Sequence, residues 1–200
     1  MTSTEICNMA LSHLNVSKEI SDLDTDSSAQ AQACRRFYEN ALEEVLEDFA
    51  WPFATKFAEL ALVEEDPTSE WGFSYRYPSD CLGFRRIISG IRNDNRQSKV
   101  PYKIGQDDTA RLIYTDMEDA ECEYGVNVTD TSRFTASFIT AFSLYLASLI
   151  APRVTGGDPF KLGERAMRLY VIKKGMAEAK AANEQQDEEH PPSEAQRARE

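Results

Sequence analysis

Two hundred residues, 42% hydrophobic and 10% aromatic, suffice for one buried core, so a single domain is expected. The balance of 22 basic against 34 acidic residues, net −12, repels nucleic acid and acidic membranes unless the basic groups gather on one face. Cys7, Cys34, Cys81 and Cys122 lie far apart, form no CxxC pair and have only His13 and His190 beside them, which fits reduced apolar thiols better than a zinc site.

The opening Met1-Thr-Ser-Thr-Glu5 lacks the basic stretch and apolar run of a secretory signal. Thr2-x-x-Glu5 is instead a capping box, which predicts a first helix over 2–15 with Ile6, Ala10 and Leu14 on one face. Asp26, Ser27 and Ser28 offer the next cap, for a helix over 26–50. Its two apolar rows, Ala33-Phe37-Ala41-Val45-Phe49 and Cys34-Tyr38-Leu42-Leu46, make a broad stripe suited to a bundle core, and Pro52 ends or kinks it.

Over 71–128 the apolar period changes from 3.6 to 2. Leu82, Phe84, Arg86 and Ile88 alternate with Gly83, Arg85 and Ile87; Val100, Tyr102 and Ile104 form a second run, and Ala110, Leu112 and Tyr114 a third. The clearest is Ala120-Cys122-Tyr124-Val126-Val128, with Glu121, Glu123 and Asn127 opposite. Asn93-Asp94-Asn95 and Gly105-Gln106-Asp107-Asp108 supply turns.

Helix resumes over 132–151, capped by Ser132 and closed by Pro152 and Gly156-Gly157. The uncharged run Phe134–Pro152 is long enough to span a bilayer, but its scattered Thr and Ser and its lack of aromatic or basic flanks suit the centre of a bundle. Asp158-Pro159 opens a last helix over 159–183, with Leu162, Ala166, Leu169, Ile172 and Met176 on its apolar side. From Glu184 the chain has no large apolar residue, the pair Pro191-Pro192, and six acids against two arginines; such a segment buries too little to order itself. The expected fold is therefore α+β, mainly α: a bundle of about four helices with a small antiparallel β-sheet inserted between the second and third, then a C-terminal tail over 186–200.

Trp51-Pro-Phe-Ala-Thr-Lys-Phe-Ala-Glu-Leu, closing a long helix, is followed by Trp71-Gly-Phe-Ser-Tyr-Arg-Tyr-Pro-Ser-Asp-Cys81-Leu82. Leu112-Ile-Tyr-Thr-Asp, Asp130, Phe134, Ala141-Phe-Ser-Leu-Tyr-Leu-Ala-Ser-Leu-Ile-Ala, Leu169-Tyr170 and Ala177-Glu-Ala-Lys-Ala-Ala come next. In this order and spacing the chain, over about 1–185, resembles the head-to-tail adaptor family of short-tailed bacteriophages, the group of the tail tubular protein A and the packaged-DNA stabilisation adaptors. It departs at Tyr77-Pro78-Ser79, which is one apolar residue short between tyrosine and proline. The resemblance implies a structural virion protein at the portal–tail junction, made in the host cytoplasm. It implies a ring of twelve copies under the portal protein that extends the DNA channel, helps retain the packaged DNA and carries the tail nozzle. No cofactor, metal, catalytic residue or membrane span is expected, and the protein is not expected to be an enzyme.

Two groups of residues stand out as contact sites. Arg85, Arg86, Arg92, Arg96, Lys99 and Lys103 reverse the sign of the chain locally, with only Asp94 opposing them, and read as a subunit contact or a sequence-independent contact with passing duplex DNA. In the tail, Asp187, Glu188, Glu189, Pro191, Pro192, Arg197 and Arg199 read as a portal-binding segment, since the resemblance implies that the C-terminal segment embraces the portal. Trp51, Phe53, Trp71, Tyr75, Tyr77 and Pro78 read as packing residues near a bundle-to-sheet junction, with no polar constellation of a ligand pocket. The rival readings are a cell-wall hydrolase using two carboxylates such as Glu43 and Glu47, and another tail-completion or stopper ring protein. The glutamates sit at i, i+4 opposite an apolar stripe, as a solvated face does, and no glycine-rich phosphate loop occurs.

Overall fold

The computed structural model describes residues 1–91, 99–158 and 160–184. Of these, 44% are helical and 23% lie in strands, which is too much sheet for a bundle with one small insertion. Instead of that fold, the described residues form four helices and seven strands in two antiparallel sheets. The described residues divide into two compact units: Met1–Ala54 with Asn127–Glu184, and Thr55–Val126.

The helical unit holds α1 (Ser3–His13), α2 (Ala29–Glu47), α3 (Ala136–Val154) and α4 (Leu162–Asn183). The capping box of α1 forms as expected, and Ser28 caps α2 by accepting from the Ala31 amide. α3 starts later than expected: Asp130 caps a short 3-10 turn that includes Ser132, and Thr135 caps the helix itself. It also continues past Pro152, which lies in the last turn. α3 is long and apolar enough to cross a bilayer, yet α1, α2 and α4 all pack on it, leaving Phe138, Phe142, Leu146 and Ile150 fully buried. Trp51 is buried beside it, its indole N–H donating to the Val45 carbonyl at 2.9 Å and its rings 5.0 Å from those of Phe138.

α3 and α4 approach closely because small residues line the contact. A Cβ on Gly163 would come within 2.7 Å of the Ala151 Cβ, and Ala166, Ala177 and Ala181 continue the same buried row. α4 begins at Leu162, later than expected, so its N-cap is Lys161 in place of the expected Asp158; the Asp158 carboxylate instead reaches the first turn from three residues earlier, accepting from the Leu162 and Gly163 amides at 2.7 and 2.8 Å.

The β unit contains β1 (Thr55–Glu59), β2 (Leu62–Thr68), β3 (Trp71–Arg76), β4 (Cys81–Ile87), β5 (Lys103–Gln106), β6 (Arg111–Thr115) and β7 (Glu121–Val126). The sheets are ordered β1-β7-β4 and β2-β3-β6-β5. The sequence reading missed β1 and β2. β2, Leu-Val-Glu-Glu-Asp-Pro-Thr, is an edge strand exposed along nearly its whole length, so it has no buried row to produce alternation, and Pro67 is tolerated there. In β4 the pairing with β7 slips between Cys81 and Gly83 and again between Phe84 and Arg86. The second bulge, at Arg85, resets the alternation: Arg86 turns out to solvent and Ile87, expected opposite Phe84, is buried. Leu60, Tyr75, Ile87, Ile113, Cys122 and Tyr124 form the core of this unit.

Candidate interaction surfaces

On the helical unit the outer face of α4 differs from every other helix. At 3.6 residues per turn, Leu169, Ile172, Met176 and Ala179 follow one another at steps of three and four residues, opposite the buried row of Ala166, Tyr170, Ala177 and Ala181. Leu169, Ile172 and Met176, expected to face the core, are instead 38%, 54% and 59% exposed, and Met167 and Val171 beside them are exposed as well. The small-residue row won the contact with α3 because it permits the closer approach. No other helix among the described residues carries an exposed large hydrophobic side chain.

Charge distinguishes the same face. Lys161, Arg165, Arg168, Lys173 and Lys180 lie within about a quarter turn of the apolar seam, whereas Glu164 and Glu178 fall further round. Glu164 ties Arg168 at 2.6 Å and Glu178 faces Lys174 at 3.7 Å; Arg165, Lys173 and Lys180 make no ion pair among the described residues. The second half of α2 presents the opposite sign, with Glu39, Glu43 and Glu47 exposed at i, i+4 and i+8, while Arg35 and Arg36 are exposed on the same side one turn earlier. Glu43 accepts from the Asn127 amide at 2.8 Å.

The described cations of the Arg85–Lys103 group stand on both sheets, and the Tyr102 hydroxyl links the two strands by donating to the Arg85 carbonyl at 3.4 Å. Arg85 sits at the bulge, half buried over Gly125, and Arg86 pairs with Glu123 at 2.6 Å. Lys99 and Lys103 are exposed, Lys103 on β5 in the other sheet. Arg92 and Arg96 lie outside the described residues, as do the tail residues Asp187, Glu188, Glu189, Pro191, Pro192, Arg197 and Arg199, and Pro159.

Two arrangements have the residue types of chemistry without its geometry. His13 Nε2 lies 3.1 Å from the buried Ser143 hydroxyl, a pairing the sequence did not disclose because 130 residues separate them. The serine also bonds back onto its own helix, donating to the Thr140 carbonyl at 3.0 Å. In the β unit a cleft of about 620 Å³ is lined in part by Leu60, Arg76, Tyr77, Cys81, Arg111 and Tyr124. Burial pushes the Cys81 thiol up and the Tyr77 hydroxyl up to about 12, so both stay protonated at neutral pH. Asp80 beside them accepts from Lys56 at 2.7 Å and from the Tyr124 hydroxyl at 2.9 Å, and chiefly the lysine holds its carboxyl below the ordinary value. A carboxylate so held is a poor general acid.

Glu43 and Glu47 stand on the solvent side of α2 and line none of these clefts. Among the described residues no three His, Cys, Asp or Glu side chains are gathered to hold a metal ion. Comparison with models of known protein families and with curated proteins finds no match for this chain.

Proposed function

We propose that this chain is a structural head-to-tail adaptor of a short-tailed bacteriophage, working as one subunit of a ring between the portal and the tail. The observation that carries the reading is the outer face of α4, an exposed apolar seam with basic flanks on a chain of net −12. Monomeric proteins rarely leave such a seam uncovered, and a surface of this kind marks an interaction site. The order of the sequence motifs supports the same reading: two helices, a β unit opened after Trp51-Pro-Phe-Ala, then two more helices. On this view the portal lies above the ring and the tail nozzle below, with duplex DNA passing through without sequence-specific contact.

Copy number is the direct test. Mass measurement of virions, or of the protein bound to portal-containing heads, is expected to give about twelve copies per particle, the number the family resemblance implies; one or two copies sink the proposal. Removing residues 187–200 is expected to leave the helical circular-dichroism signal unchanged and to abolish docking onto portal-containing heads. Normal docking of the truncated chain removes the tail from the portal contact.

A further inference from the structure

The apolar seam of α4 needs an occupant, and the chain's own C-terminal segment does not qualify. Residues 185–200 follow α4 directly but contain no large apolar side chain to lay against Leu169, Ile172 and Met176. A second α4 packed face to face is also disfavoured. It would set Arg165, Lys173 and Lys180 of one copy against the same cations of another, where like charges oppose association.

We infer that the outer face of α4 docks on the outer face of α2 of a second copy, so that copies join head to tail. The charge pattern favours the pairing through the second half of α2, beyond the exposed Arg35 and Arg36. Glu39, Glu43 and Glu47 present three carboxylates over eight residues of α2, a length of about 12 Å. Arg165 and Lys173 are also eight residues apart and so span the same length on α4, with Lys180 about 10 Å beyond. The methylene stems of the glutamates cover the seam between the two rows of charge. Because the surfaces are different, the contact is heterologous and passes from copy to copy, as a closed ring requires. The basic partner that the sequence placed in the Arg85–Lys103 segment is thereby assigned to α4, whose cations point outward together. This inference deepens the ring reading and rests on it.

Zero-length carbodiimide cross-linking of the full chain tests the contact. A mixture of isotopically light and heavy protein, at high concentration and low salt, is expected to yield mixed-isotope peptides joining Lys173 or Lys180 to Glu39, Glu43 or Glu47. Arg165→Glu with Lys173→Glu is expected to weaken self-association by roughly ten-fold or more, and Glu39→Lys with Glu47→Lys in the other copy to restore it. All four positions are exposed, so circular dichroism of each variant checks that the fold is unchanged. A chain that stays monomeric at every concentration overturns the inference, as do mixed peptides that join other faces. Flotation with anionic phospholipid vesicles, lost in Ile172→Ser, would reassign the seam to a lipid surface and equally overturn it. Copy number in virions fails or succeeds separately: single-copy particles sink the ring, whereas a ring cross-linked through other helices sinks only the α4–α2 contact.

Discussion

The helical unit and the β unit solve the same packing problem with different economy. The helical unit is built round α3, whose sides are covered by its neighbours, and its aromatic cluster places Trp51, Phe53, Phe134 and Phe142 on Phe138 with ring centroids 4.9–6.0 Å apart. The β unit has a thinner core, with Tyr75, Ile87, Ile113 and Cys122 inside and both β1 and β2 at sheet edges. It relies more on single polar bridges: the Tyr75 hydroxyl donates to the Met117 carbonyl at 2.8 Å and accepts from the Ala120 amide at 3.4 Å. A dense core makes function a matter of what is left outside it, and α4 shows this, spending its small residues inward and its large ones outward.

The sharpest way to break the comparison is Phe138→Ala. It removes the ring on which four others rest and is expected to cost about 3–5 kcal/mol, read as a lower denaturation midpoint of the helical signal. A loss below about 1 kcal/mol would mean that the cluster is not the keystone of the unit.

Tyr75→Phe asks the parallel question of the β unit. It keeps the ring but leaves the buried Ala120 amide and the part-buried Met117 carbonyl without their shared partner, so a cost of about 1–3 kcal/mol is expected in urea unfolding. A neutral result would show that water takes over the bridge.

His13 gives the helical unit a pH dependence. Burial depresses its imidazole below the ordinary value of 6.5. The unfolded chain therefore binds a proton first as pH falls: the contribution is full above about pH 6.5, declines towards the folded value and is lost below it. The urea midpoint is expected to drop over that window in the parent and to change less in His13→Gln. Equal slopes would assign the effect elsewhere.

Ile172→Ser should change stability by no more than about 0.5 kcal/mol, because the side chain already faces solvent. If thermal denaturation of the dilute protein shows a loss of several kcal/mol, the seam is an internal surface. Smaller still is Tyr38→Phe: the hydroxyl is buried without a hydrogen-bond partner among the described residues, so its removal is expected to be neutral or slightly stabilising.

Much of this was legible in the sequence because it depends on neighbours along the chain. The Thr2–Glu5 box, the Ser28 cap, the two rows of α2 and the alternating face of β7 all follow from spacing of two, three or four residues. Element content was misjudged where spacing carries no signal, as in the exposed edge strand β2, and the alternation of β4 was misread because a bulge at Arg85 depends on the partner strand. The ion pair of Arg86 with Glu123 was hidden for the same reason, because the two are strand partners across the sheet and 37 residues apart in the chain. In α4 the sequence reading put Leu162, Ala166, Leu169, Ile172 and Met176 on the inner side, and of these the large residues Leu169, Ile172 and Met176 face outward. Only packing decided, because Gly163, Ala166 and Ala177 let two helix backbones approach where Leu169, Ile172 and Met176 would have held them apart.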